Sequence, residues 1–96
     1  MLSVTIIDET DPEIVTGLLS LYYACDGSTR AHVPIQGFRA KLSKPYKQFA
    51  RAILKKLRKA GYIHVHKGRD ESYGVNMAGI DKLKELEKNG VIGPLH

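Results

Sequence analysis

The most informative segment of this sequence is Phe49-Ala-Arg-Ala-Ile-Leu-Lys-Lys-Leu-Arg-Lys-Ala-Gly-Tyr-Ile63. Up to position 60 it consists mainly of alanine, leucine, lysine and arginine, which favour the α-helix. Gly61 suits the left-handed conformation that closes a helix. From there apolar and polar residues alternate, which is typical of a strand. The sequence therefore predicts a helix from about 45 to 60, with Pro45 near its start, followed directly by a β-strand.

The segment after this helix predicts a two-stranded hairpin over about 62–77. Ile63 and Val65 alternate with more polar residues on one side of a polar turn, and Tyr73 and Val75 do so on the other. A fourth helix is expected from about 78 to 88, because apolar residues recur there at helical spacing. Gly90 then opens a tail over 90–96 that is expected to be flexible.

Before the central stretch, two more helices and a strand are expected. The β-branched run Leu2–Ile7 predicts a short strand within residues 1–10. Asp11 and Pro12 are typical of a helix start, and the helix they begin is expected to reach about residue 24. A shorter helix is expected over about 34–42. With 96 residues the chain forms a single α+β, mostly α domain over 1–96.

The charge of the chain is divided sharply along the sequence. Between Asp26 and Asp70 there is no acidic residue, but this segment holds 12 of the 15 lysines and arginines. The rest of the chain has three lysines against all ten acids, so the formal net charges are +12 and −7. Such a one-sided distribution is typical of a protein that binds a polyanion.

On a helical wheel the predicted third helix has one apolar and one cationic side. At about 100° per residue, the expected buried stripe consists of Tyr46, Phe49, Ile53, Leu57 and Ala60. The opposite side consists of Lys44, Lys47, Gln48, Arg51, Lys55, Arg58 and Lys59. A helix of this kind can rest on a core and present its cations to the major groove of DNA, which admits a helix.

The order of these elements resembles the winged helix-turn-helix fold over residues 11–89, and in particular small prokaryotic and archaeal regulators of the MarR-like kind. In those proteins a recognition helix ends in leucine, a few charged residues, glycine and an apolar strand, as from Leu57 to Ile63 here. Val75-Asn-Met-Ala-Gly79 stands where the second wing strand passes into the last helix. The resemblance implies a three-helix core, a two-stranded wing and a C-terminal helix, with the third helix in the major groove.

The resemblance also implies roles for individual side chains. The N-terminal part of the recognition helix approaches base edges, which makes Lys47, Gln48 and Arg51 the candidates for base contacts. Phosphate contacts are expected from Lys44, Lys55 and Arg58, with Arg39 and Lys41 of the second helix flanking the backbone. In the wing, Lys67 and Arg69 are expected at the flanking backbone or minor groove.

Two carboxylates depart from this pattern. Asp70 and Glu71 follow Arg69 directly, and phosphate would repel both. Either they orient Arg69 through local pairing, or the wing stays off the DNA.

The sequence contains few motifs that would indicate another class of function. It contains no phosphate-binding glycine loop and no constellation of a nucleophile with its base, so neither an enzyme nor a cofactor is expected. His64 and His66 are expected on an exposed strand face without a third metal ligand nearby, so no metal site is predicted. Cys25, the one cysteine, is expected to be buried in a reducing cytosolic protein. No apolar run is long enough for a membrane span, and the N-terminus does not read as a signal peptide, so a cytoplasmic location is expected.

The leading hypothesis is a sequence-specific double-stranded DNA-binding protein that regulates transcription. Homodimers are expected to form through the Leu2–Ile7 strand or the apolar stripe of the fourth helix, Ile80, Leu83 and Leu86. The alternatives are an RNA-binding winged helix of the ribosomal type and a protein-interaction module.

Overall fold

The computed structural model describes residues 11–95. In chain order they form α1 (Pro12–Ala24), α2 (Ile35–Lys41), a 3-10 helix (Lys44–Phe49), α3 (Ala50–Ala60), β1 (Ile63–Lys67), β2 (Glu71–Val75) and α4 (Met77–Lys88). The predicted class is confirmed: the fold is α+β and mostly helical, with a winged-helix-like layout. The strand predicted within residues 1–10 lies outside the described residues.

The start of α1 is fixed by its predicted cap. The Asp11 carboxylate accepts a hydrogen bond of 2.9 Å from the backbone N–H of Glu13, and Pro12 occupies the first helical turn. An N-terminal cap of this kind satisfies a donor that has no partner inside the helix. The helix then buries Leu18 and Leu21 completely.

The prediction of one continuous helix over 45–60 is wrong in its first part. Residues Lys44–Phe49 form a 3-10 helix, and the α-helix begins at Ala50. A 3-10 helix turns by about 120° per residue instead of 100°, so side chains before Ala50 point away from the directions that the α-helical wheel gives them. Phe49, expected in the buried stripe, is consequently 45% exposed.

The buried stripe of α3 is therefore shifted around the helix. It consists of Ala50, Ile53, Leu54 and Leu57, while Ala60 is exposed. The predicted end of the helix is confirmed, since Gly61 adopts a left-handed φ of 84°.

The hairpin has the predicted strands and an additional partner. β1 and β2 pair antiparallel, with Ile63 opposite Val75 and Lys67 opposite Glu71. On the other edge of β2, the backbones of Val33 and Tyr73 exchange hydrogen bonds of 2.9 and 2.8 Å. The segment that leads into α2 is thus attached to the wing by its backbone.

The core lies between the helices and the inner face of the hairpin. Its fully buried side chains are Leu18, Leu21, Phe38, Ile53, Leu57, Val75, Leu83 and Leu86. At Gly17 a Cβ atom would overlap Ile53, so this glycine permits the close approach of α1 and α3. The buried side of α3, the candidate recognition helix, is thus packed against the core along its length.

A single side chain joins the hairpin to α4. The Asn76 Oδ1 atom accepts from the Gly79 N–H at 2.9 Å, and its Nδ2 atom donates to the Gly61 carbonyl at 2.9 Å. Gly79 is buried, and a Cβ there would overlap the Tyr62 carbonyl oxygen. The start of α4 therefore lies directly against the turn that ends α3.

The end of the chain, for which a flexible tail over 90–96 is predicted, makes contacts with the rest of the fold. Val91 donates from its backbone to the Leu86 carbonyl at 2.9 Å, and the Leu95 N–H donates to the Glu87 carboxylate at 2.9 Å. Ile92 and Leu95 also pack against the core. Residues 90–95 therefore contact the rest of the chain through apolar packing and four hydrogen bonds. None of the helices within residues 11–95 is long and apolar enough to cross a membrane.

Candidate nucleic-acid interface

Three cations form a row along the outer side of α3. Arg51, Lys55 and Arg58 are spaced four and three residues apart, so they lie above one another on one side of the helix. All three are exposed. None of them makes an ion pair within 4 Å with any residue from 11 to 95. We refer to Arg51, Lys55 and Arg58 as the cationic row.

Lys56 marks the boundary of this surface. Its Nζ atom lies 2.8 Å from a carboxylate oxygen of Glu13 and 3.1 Å from one of Asp11. The hydrogen bonds to Glu13 and then Asp11 raise the pKa of Lys56 above its usual value. The acids at the start of α1 thus neutralise the flank of α3 that faces them and leave the cationic row without acidic partners.

The 3-10 helix presents its predicted contact residues in different ways. Lys44 and Gln48 are exposed. The Lys47 ammonium instead donates to the backbone carbonyls of Arg39 at 2.9 Å and Ala40 at 3.3 Å. These carbonyls lie at the C-terminal end of α2, where the helix dipole favours a cation. Lys47, a candidate for base contact, is therefore bound to the protein's own backbone.

The two predicted contacts on α2 lie in different places. Arg39 lines an open groove of about 520 Å³ between α2 and α3, together with Gln48 and Arg51. Lys41 is also exposed but lines a hollow between α1 and α2, beside Thr16. The structure therefore brings Arg39, but not Lys41, to the side of the cationic row.

The wing supplies both signs of charge. Lys67 and Arg69 are exposed at its tip. Arg69, Asp70 and Glu71 line one open cavity of about 560 Å³ together with Arg51. Neither carboxylate pairs with Arg69 within 4 Å, among the residues from 11 to 95. The local pairing considered for Arg69 is thus not found.

Glu71 has a different partner, which sequence reasoning missed. The Tyr73 hydroxyl donates to a Glu71 carboxylate oxygen at 2.8 Å. Burial raises the pKa of Tyr73, and its bond to Glu71 and the charge of that carboxylate raise it further, whereas Arg51 and Arg58 act to lower it. The phenol, the carboxylate and two members of the cationic row therefore share one electrostatic environment. A signal existed in the sequence, since residues two apart on a strand lie on one face.

Of the two histidines on β1, His66 is exposed, as predicted, whereas His64 is less open than predicted. His64 is half-buried, and its Nε2 atom lies 3.3 Å from the Thr29 carbonyl oxygen. The His66 ring stacks on His32 with 4.4 Å between ring centroids. The cause is Gly74, opposite His64, where a Cβ would overlap the Ala31 carbonyl. Without a side chain there, the segment before α2 crosses the hairpin and covers it.

The histidines form a small polar cluster. The Ser72 hydroxyl and His32 Nδ1 are 2.7 Å apart. No group of three or more potential ligands among residues 11–95 is arranged to hold a metal ion.

The cysteine and the fourth helix are both used by the core. Cys25 is buried, as predicted, and burial raises the pKa of its thiol. Leu83 and Leu86, expected on a stripe that pairs two copies, are 0% and 1% exposed within the chain itself. That prediction is wrong for this stripe, because only Ile80 of the three remains partly exposed.

Comparison with known protein families and with curated proteins finds no match to the sequence. Among solved structures, the chain is similar to the protein AF1382 from Archaeoglobus fulgidus, with a TM-score of 0.62 and 18% identity. The alignment covers 84% of this chain and 87% of that one. At this level of identity the likeness concerns the fold alone.

Proposed function

We propose that this protein binds double-stranded DNA sequence-specifically and regulates transcription, with the outer side of α3 in the major groove. The observation that carries the proposal is the cationic row, Arg51, Lys55 and Arg58, which is exposed and unpaired within the described part of the chain. A row of unneutralised cations on a helix stabilises a polyanion bound along it. The buried residues Ile53 and Leu57 hold this helix rigidly on the core.

The geometry favours a division of roles along the interface. Gln48 lies just before α3 and Arg51 lies in its first turn. Both side chains can form two hydrogen bonds to a purine edge. Lys55 and Arg58 lie farther along and suit phosphates, with Lys44 and Arg39 flanking them. In this proposal Lys47 positions the 3-10 helix against α2 and does not contact bases.

The wing stays part of the proposed interface although Arg69 is not paired locally, because the wing tip lies beside α3. Arg69 lines the same cavity as Arg51, which places the wing tip beside the start of α3. A DNA backbone that follows α3 would therefore pass Arg69 and Lys67. Membership in the MarR-like group of regulators, a cytoplasmic location and homodimerisation belong to the same proposal. Of the two pairing elements predicted from the sequence, the Leu2–Ile7 strand is the one that stays a candidate.

Titration with three nucleic acids tests the proposal. A labelled duplex, one of its single strands and a hairpin RNA of similar length are titrated with the protein at one salt concentration, followed by fluorescence anisotropy. We expect the duplex to bind most tightly. For about six phosphate contacts, the logarithm of the association constant should fall with the logarithm of salt concentration with a slope near −5. Tightest binding to the hairpin RNA would favour the RNA-binding alternative, and no binding to any of the three would favour a protein-interaction module.

A further inference from the structure

A carboxylate stands beside the cationic row where a purely phosphate-binding surface would have none. Arg51, Lys55 and Arg58 line an open cavity of about 240 Å³ together with Glu71 and Tyr73. No ion pair within 4 Å neutralises Glu71 among the residues that the structure describes. The carboxylate is therefore a neighbour of these cations without being bound to them.

The position of this carboxylate is fixed from β2. Its oxygen accepts the 2.8 Å hydrogen bond from the Tyr73 hydroxyl. Tyr73 in turn is held on both edges of its strand, by Val65 of β1 and by the backbone of Val33. The phenol is partly buried and responds to both Arg51 and Arg58. A side chain anchored through such a support keeps its direction when a ligand approaches.

We propose that Glu71 is a specificity-determining residue, which repels phosphate from the Arg51 end of the cationic row and leaves the Arg51 guanidinium group to base edges. This inference rests on the proposed function. Phosphate contacts carry affinity but no sequence information, whereas arginine reads guanine through two hydrogen bonds. A carboxylate has acceptors only, so it opposes a phosphate but tolerates the amino groups of bases. Glu71 thus lowers binding to arbitrary sequences more than binding to the preferred one.

The test measures the ratio between the dissociation constants for a random-sequence duplex and for the preferred duplex. A randomised duplex library is first selected with the unmodified protein, and dissociation constants are then measured for the selected duplex and for a random-sequence duplex. Three variants are compared with the unmodified protein: Glu71→Gln, Tyr73→Phe and Asp70→Asn. Asp70 is the matched control, because its substitution removes the same charge one residue away, at a carboxylate without the tyrosine bond. All three substituted side chains are exposed or half-buried. Circular dichroism is used to check that each variant is folded.

Each variant has a distinct expected result. Glu71→Gln should tighten binding to the random duplex by about threefold to tenfold and steepen the salt slope by about 0.9, as one added phosphate contact does. The ratio between selected and random duplex should fall accordingly. Tyr73→Phe keeps the charge but releases the carboxylate, so the ratio should fall while the salt slope stays unchanged. Asp70→Asn should change the random-duplex constant by less than about twofold.

Two results overturn the inference. One is equal tightening by Glu71→Gln and Asp70→Asn, which would mean that net charge alone acts. The other is a Glu71→Gln protein whose ratio and slope match those of the unmodified protein. Failure of the unmodified protein to bind any duplex is a different result, because it contradicts the proposed function and this inference together.

Discussion

α3 and α4 are helices of 11 and 12 residues that pack onto the same core, but their outer sides differ in charge. The outer side of α4 alternates in sign through Asp81, Lys84, Glu85 and Lys88. Such mixed surfaces keep a small protein soluble and are typical of helices that face only water. The cationic row of α3 has no acid within it. Solubility and packing account for the surface of α4, whereas the uniform positive charge of the cationic row is what the proposed binding of DNA would account for.

Charge reversal tests most directly whether the difference in charge between α3 and α4 matters for binding, and we expect it to change affinity strongly. The double substitution Arg51→Glu and Lys55→Glu should weaken duplex binding by about 100-fold or more, because each contact contributes about 1–3 kcal/mol. The matched control is Lys84→Glu with Lys88→Glu, which changes net charge equally on α4 and should alter binding by only a few-fold. Anisotropy titration at one salt concentration measures both.

This control uses Lys84 and Lys88 because Lys82 is unsuitable. The Lys82 side chain is only 10% exposed and lies 3.2 Å from a Glu85 oxygen. Its reversal would disturb α4 as well as the charge. Equal weakening by the α3 and α4 double variants would contradict the assignment of the interface to α3.

The attachment of α4 provides the second test, on stability. Gly79→Ala should destabilise the fold by about 2 kcal/mol, because the added methyl group overlaps the Tyr62 carbonyl and lies close to Val75. Gly68→Ala at the wing tip meets no atom within 4 Å and should change stability by less than about 0.5 kcal/mol. Urea denaturation followed by circular dichroism measures the difference. Similar free energies of unfolding for the two variants would mean that the start of α4 can shift to accommodate the added methyl group.

Asp11 provides a third, smaller test at the boundary of the cationic surface. Partial burial raises the pKa of Asp11, but the Lys56 ammonium and the Glu13 N–H outweigh this and hold the pKa below its usual value. The stabilisation from its charge is therefore complete above about pH 4 and is lost as the pH falls through the lowered pKa. Asp11→Ala should cost about 1 kcal/mol at neutral pH, mainly through the lost helix cap.

Asp11→Asn separates the cap from the charge. Asparagine caps a helix well, so its stability should lie near that of the unmodified protein at neutral pH. Urea denaturation at several pH values should show that the small difference in free energy of unfolding between Asp11→Asn and the unmodified protein disappears in acid. A difference that grows as the pH falls would contradict the role given to Lys56.

The last prediction concerns Lys47 and is a small change in stability. It tests whether Lys47 is held by the backbone of α2 or is available to contact DNA. Lys47→Met removes the bonds to the Arg39 and Ala40 carbonyls and should lower stability by about 0.5 kcal/mol. Lys44→Met, an exposed neighbour without such bonds, should leave stability unchanged. Thermal denaturation of the two variants measures this. Equal stability would leave Lys47 free for the base contact that the sequence predicts.

Much of this fold follows from local signals. The cap at Asp11, the left-handed Gly61 and the alternation on both sides of the wing turn each define an element on their own. The apolar periodicity of α3 also predicted that Ile53 and Leu57 are buried. The helical wheel placed the cationic row on the side opposite the apolar stripe, and its three residues are exposed there.

What the sequence could not predict depends on contacts between distant segments. A proline near the start is compatible with a 3-10 helix as well as with an α-helix, so Pro45 did not distinguish the two. The α-helical wheel was therefore applied to Phe49, and its exposure was not predicted. The pairing of Val33 with Tyr73 involves one residue pair, too short to produce an alternating pattern. At the site, the local spacing of Glu71 and Tyr73 indicates only that they share a strand face. The hydrogen bond between them depends on the direction of both side chains.

The backbone bonds between Val33 and Tyr73 restrict how this protein could engage a duplex. They join the chain just before α2 to β2 of the wing, which opposes movement of the wing away from the helices as a separate arm. The span between the tip of the wing and the start of α3 is thus fixed before binding. In the proposed complex the DNA, through its bending and groove width, must adapt to that span.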